Sequence, residues 1–188
     1  YVFCLLKIAG YIALWFWFCG FTPGLGGWDD FGAWWSHPVA FQKAILLTMT
    51  MEGLGLAGSS GPLTGRYVPP FGGFLYFLRP GTTKLALFPN LPLLGGSRRG
   101  VVDVLLYASV IGVSGYALCS PTLSTDIFLT LAVLVPLMGI ADKTLFLAAR
   151  AEHYFPTILC FALLPNWIGG AKAVQLAIWF WAGVSKCN

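Results

Sequence analysis

The stretch "VVDVLLYASVIGVSGYALC", residues 101–119, decides the class of this protein. It carries one charge, Asp103, near its start, and every other position is apolar, small or hydroxylated. As a helix rising 1.5 Å per residue it would be roughly 28 Å long, close to the thickness of a bilayer's hydrocarbon core. The whole chain agrees: 57% of its 188 residues are hydrophobic and only 10% are charged. Soluble domains carry about 25% charged residues. The reading is an all-α integral membrane protein.

Working outward, five more segments reach spanning length: 2–20, 39–58, 125–141, 144–165 and 167–186. The expected architecture is a bundle of about six transmembrane helices, with Pro136 as a kink in the fourth. The segment "YVPPFGGFLYFL", 67–78, is too short and too rich in Pro and Gly to cross. It is expected to form a re-entrant or interfacial piece packed against protein. Val2–Gly20 is too long for a signal-peptide apolar region and is read as a span. Residues 1–188 make one transmembrane domain. A start at Tyr1, already inside an apolar run, reads as part of a longer chain.

Loop charges orient the bundle. The loop 59–100 carries Arg66, Arg79, Lys84, Arg98 and Arg99 with no acid. The loops on the other side carry Asp29, Asp30 and Asp126. Six spans place the basic loop and both chain ends on one side, as the positive-inside rule requires. Lys43, near the acidic end of its helix, fits less well. The five basic loop residues are expected to meet anionic lipid headgroups, at roughly 1 kcal/mol each. No basic stripe marks a soluble face, which excludes nucleic acid as a partner. The cysteines (4, 19, 119, 160 and 187) form no C-x-x-C pair and read as small apolar residues.

"GLGLAG", 53–58, matches a dinucleotide fingerprint literally. It ends an apolar helix, however, and residues 73–78 hold no acid. Close helix approach at small residues explains it better. Glu52 inside the second span is either protonated or paired, and intramembrane acids are functional by default. His153, Thr157, Cys160 and Leu164 share one helix face. Lys172, Gln175, Trp179, Ala182 and Lys186 form a stripe down the last helix, expected to face the bundle interior or a wet cavity. The alternative for Lys186 is an interfacial anchor beside tryptophan. In the six-span topology Glu52, Asp103, His153 and Lys186 fall in the basic half and define a candidate pocket. Trp179, Gln175 and Asp103 are its candidate cofactor contacts, and no metal site is indicated.

Two resemblances follow from quoted motifs. "SSGPLTGRYVPPFGGFLYFLRPGTTK" (59–84), "DVLLYASV" (103–110) and "DKTLFLAARAEHYFPTIL" (142–159) resemble an uncharacterised multi-pass membrane family common in actinobacteria, which brings no activity. "EHYFPTILCFALL" (152–164) followed by "FWAGVSKCN" (180–188) is similar to the transmembrane region of vitamin K-dependent carboxylase-like proteins. That resemblance implies Lys186 as a base and His153 as an aid to quinol oxygenation; in an enzyme reading Glu52 would be their charge partner. Ser185 stands where the carboxylase has a first lysine, and its luminal domain has no counterpart here.

The sequence thus favours a multi-pass subunit of a larger membrane assembly, such as a respiratory or photosynthetic complex, in contact with lipids and other subunits. Such a subunit would hold a lipid, quinone or pigment. The alternative is an intramembrane enzyme acting on a quinone-like or lipid substrate. A transporter ranks last, because no internal repeat is visible.

Overall fold

The computed structural model describes residues 2–25, 31–34, 36–56 and 77–187. Eight helices occur among them. They are α1 (Val2–Cys19), α2 (Phe31–Trp34), α3 (Pro38–Gly53), α4 (Val101–Cys119), α5 (Thr125–Ala141), α6 (Lys143–Ala148), α7 (Ala151–Leu163) and α8 (Trp167–Val184). One isolated antiparallel bridge, Thr83 with Arg98, is the nearest thing to a strand among the described residues.

The helix α4 alone, among the described residues, is long and apolar enough to cross a membrane. The sequence led to an expectation of six such spans. The shortfall has identifiable causes. The second expected span stops early, because Gly55 takes φ +73 and turns the chain after Gly53. The fifth, expected over 144–165, is two helices. Asp142 caps α6 by accepting from the backbone of Thr144 (3.1 Å) and Leu145 (3.4 Å). Arg150 then adopts φ 48 and ψ 36, a left-handed conformation that breaks the helix before α7. Most of the expected re-entrant piece, through Tyr76, lies outside the described residues, as does Arg66. Its end is described, and Phe77 is buried against the core.

α3 is the central element and packs against α1, α4, α6 and α7, while α5 joins α4 to α7 and α8 lies outside α7. Neighbouring helices run antiparallel, as two contact layers show. At one end Phe41 of α3 stacks on Trp167 of α8, with ring centroids 6.1 Å apart, and Phe161 of α7 meets both Trp167 (4.9 Å) and Phe128 of α5 (5.1 Å). At the other end the Tyr107 hydroxyl of α4 donates to the Gly53 carbonyl at 2.7 Å. A Cβ on Gly53 would come within 2.9 Å of Ile111, so the first glycine of "GLGLAG" serves close helix approach. The first layer is called the acidic end below and the second the basic end, after the loop charges.

Lys43 is fully buried at the acidic end. Its ammonium donates to the Phe18 carbonyl at 2.7 Å, in the last turn of α1. Unpaired carbonyls and the negative pole of the helix both favour a cation there, which accounts for a lysine on the wrong side of the charge rule. Of the four cysteines whose side chains are described, Cys19 is buried, Cys119 and Cys187 are exposed and Cys160 is half-buried, so among these Cys19 alone matches the expected apolar core role.

The described part of the basic loop is held by backbone hydrogen bonds and ion pairs. Residues 79–100 fold back so that the Gly81 N–H donates to Arg99 O (2.7 Å), Arg99 N–H to Thr82 O (2.8 Å) and Lys84 N–H to Ser97 O (3.0 Å). Two buried ion pairs fasten it to the helices. Lys84 reaches Asp103 in the first turn of α4 at 2.6 Å, and Arg99 reaches Asp142 at the α5–α6 junction. The Arg99 guanidinium also lies over the Phe77 ring, 4.9 Å from its centroid, and donates to the Thr82 hydroxyl at 2.8 Å.

Candidate functional site

A groove of about 300 Å3 opens at the acidic end, between the start of α3 and the first half of α8. Phe41 and Trp167 form its floor, stacked within 10° of parallel. Four polar side chains stand around it: Ser36 and His37, which directly precede α3, and Lys172 and Gln175 on α8. The local sequence explains this placement. Pro38 occupies the first position of α3 and fixes where the helix starts, which leaves His37 at its mouth in an extended conformation. Lys172 and Gln175 are three residues apart and therefore adjacent on the surface of α8. The His37 Nδ1 atom is buried and has no hydrogen-bond partner among the described residues. A buried imidazole nitrogen left unpaired is unfavourable. The site combines a flat aromatic surface, the Lys172 ammonium and the hydrogen-bonding side chains of Ser36, His37 and Gln175. That suits an amphiphile whose head presents acceptor oxygens.

A family of transmembrane proteins of unknown function (DUF3556) matches residues 1–188, the full chain. The chain belongs to that family. No curated protein and no solved structure matches it. Membership establishes an integral membrane protein and leaves its activity open.

Family membership sets the environment in which the expected site residues are placed. Gln175 lines the groove, though beside His37 and Lys172 rather than in the basic half of the bundle. Trp179 is on the exposed face of α8, where Ala171 is the one buried residue. The stripe Lys172–Lys186 therefore does not face the bundle interior as expected. Its upper part borders the groove and its lower part faces outward. Lys186 is exposed beyond the end of α8, with no ion-pair partner among the described residues, which is the placement of an anchor. His153 is partly exposed, and its nearest charged neighbour is Glu152, at 3.6 Å. Glu52 is buried in α3 with its Oε2 atom unpaired among the described residues. None of the three described cavities is lined by Lys186, His153 or Glu52. The expected convergence of the three into one pocket is thus not seen.

Asp103 is committed elsewhere. Besides Lys84, it accepts from the Gly100 N–H at 2.6 Å and so caps the start of α4. Lys84 and Arg99 are likewise buried in their ion pairs, which removes them from the set expected at lipid headgroups. Arg79 and Arg98 remain exposed. The reason is topological: an acid 19 residues away for Lys84 and one 43 residues away for Arg99 neutralise charges that look unpaired within their own loop.

Sequence reasoning missed His37, Phe41 and Trp167. The proline after His37 was a legible helix-start signal, but nothing local paired residue 41 with residue 167. Asp142 was missed as a structural acid. The "DKT" at 142–144 was its signal, an N-cap residue opening a new helical turn.

Proposed function

We propose that this protein is a non-catalytic multi-pass membrane protein that crosses the bilayer six times and holds an amphiphile, a lipid or a quinone, in the groove at its acidic end. The carrying observation is the groove lined by His37, Lys172, Gln175 and the stacked Phe41–Trp167 floor, with the buried His37 Nδ1 unpaired among the described residues. Acceptor oxygens on the ligand head would take hydrogen bonds from His37, Gln175 and the Lys172 ammonium. A planar head would lie on the aromatic floor, and its tail would run into the bilayer. Support for six crossings comes from the antiparallel contact layers. Reporter fusions placing residues 85–94 and 120–124 on the same side of the membrane would overturn that part.

The groove is tested by titrating purified protein with decyl-ubiquinone and with phosphatidylglycerol while following tryptophan fluorescence, to which Trp167 contributes. The expected result is saturable quenching by one of the two. His37→Ala and Lys172→Ala should each weaken it by ten-fold or more, since a hydrogen bond to a charged group contributes about 1.5–3 kcal/mol. Unchanged titrations in both variants would remove the site.

Membership in a larger assembly gains support from the outer face of α8, where Trp179, Phe180 and Trp181 are all exposed. A single-copy mass for the gently solubilised protein would count against it. The carboxylase-like alternative needs Lys186, His153 and Glu52 in one cavity, and their separate positions lend it no support.

A further inference from the structure

The loop that is anchored by buried charges is apolar where it meets its surroundings. Leu85, Leu87, Phe88, Leu91 and Leu93 are all exposed. Around them Lys84 and Ala86 are buried, so the extended chain alternates and turns Leu85 and Leu87 outward. The backbone fixes this orientation, because Leu87 N–H donates to Ile140 O (2.9 Å) and Lys143 N–H to Leu85 O (2.8 Å). The loop therefore lies against the basic end of α5, beside the N-terminus of the one described helix able to cross a membrane.

Leu93 sharpens the point. It has φ +67 and is 82% exposed. A left-handed leucine is strained, and contacts within the protein do not offset the strain at such exposure. Insertion of the side chain into lipid would.

Next to the loop lies a groove of about 320 Å3, walled by Leu87, Pro136, Ile140, Phe146 and Phe155, with Lys143 as the cation in its lining. The exposed Arg98 is close by along the loop: it bridges to Thr83, two residues before Leu85, whose carbonyl binds Lys143. The carboxylates that adjoin these segments, Asp103 and Asp142, are taken up by Lys84 and Arg99. The Arg98 guanidinium donates to the Gly81 carbonyl at 3.1 Å, and neither it nor Lys143 pairs with a carboxylate among the described residues, which leaves their charge for a ligand.

We propose that residues 85–94 insert into the leaflet at the basic end, and that the adjoining groove takes one acyl chain of an anionic phospholipid whose phosphate meets Lys143 and Arg98. This site is independent of the one at the acidic end and involves none of its residues.

The test uses the full chain purified in mild detergent and analysed by native mass spectrometry with phosphatidylglycerol or phosphatidylcholine of the same acyl chains. Phosphatidylglycerol should be retained in preference. The double variant Lys143→Gln, Arg98→Gln should lower its retention by about five-fold per charge removed, with phosphatidylcholine unchanged. Both side chains are exposed, so the fold should survive. In parallel, a benzophenone amino acid at Phe88 in vesicles of the two lipids should yield lipid adducts on illumination. Equal retention of the two lipids, undiminished retention in the double variant, or adducts only to another protein chain would each overturn the proposal.

Discussion

Asp142→Asn should destabilise the protein by roughly 3–5 kcal/mol, the usual result of removing one partner from a buried ion pair. The carboxylate is almost wholly buried and serves three elements together. It pairs with Arg99, accepts from the backbone of Thr144 and Leu145 to start α6, and lies 3.4 Å from the Leu85 N–H of the loop. An amide of the same size keeps the volume but removes the charge. The Arg99 guanidinium, which cannot deprotonate in a protein, would then be held in a poorly solvated site without its carboxylate, with the Thr82 hydroxyl and the Phe77 ring among its remaining contacts. The expected phenotype is loss of the 79–100 loop before loss of the helical bundle. Limited proteolysis of the detergent-solubilised variant should cut within 79–100 while α4, α5 and α7 remain protected. Wild-type resistance of that loop, with an unchanged melting temperature, would mean that the pair does not hold it.

The helical class was legible because a chain this poor in charge and this rich in apolar runs can satisfy its backbone in a bilayer only as helices or a closed barrel. Segment ends at residues 119 and 141 were legible too, since composition changes sharply there, and the end of the first span was placed at 20 against Cys19 in the structure. Breaks inside apolar runs were not. The turn at Gly55 and the left-handed Arg150 fall inside segments read as continuous spans, and hydropathy records transfer free energy rather than φ and ψ.

The site was less legible for a related reason. Ionisable residues at one inferred depth suggested a shared pocket, yet depth leaves azimuth undetermined. Lys186 and Trp179 are on the outward side of α8, and Asp103 faces the loop. Gln175 was found because its spacing from Lys172 is a property of one helix. His37, Phe41 and Trp167 were not, because their meeting depends on how α3, α7 and α8 pack. The loop charges erred in the same way. Net charge along a segment counted Lys84 and Arg99 as headgroup ligands, while the tertiary fold gave each a carboxylate of its own.

The second large effect concerns Lys84 and Asp103, whose single variants should differ. Lys84→Met leaves the Asp103 carboxylate its Gly100 N–H and the positive pole of α4, so the buried charge keeps two of its three sources of stabilisation. Its expected cost is about 2 kcal/mol. Asp103→Leu removes that cap and leaves the Lys84 ammonium buried with the Leu94 carbonyl as its remaining described partner. The expected cost there is roughly 3–5 kcal/mol. The double variant Lys84→Met, Asp103→Leu replaces a buried pair by apolar groups and leaves no charge stranded. It should therefore be less destabilised than the sum of the singles by about 2 kcal/mol or more. Thermal unfolding of the four proteins in one detergent measures that difference. Strict additivity would mean that the two charges, 2.6 Å apart and each nearly inaccessible, do not depend on one another. In that event the loop would owe its order to Arg99 and Asp142 alone. A positive coupling assigns both pairs the same work, which is to hold an apolar loop rigid at the end of a transmembrane helix.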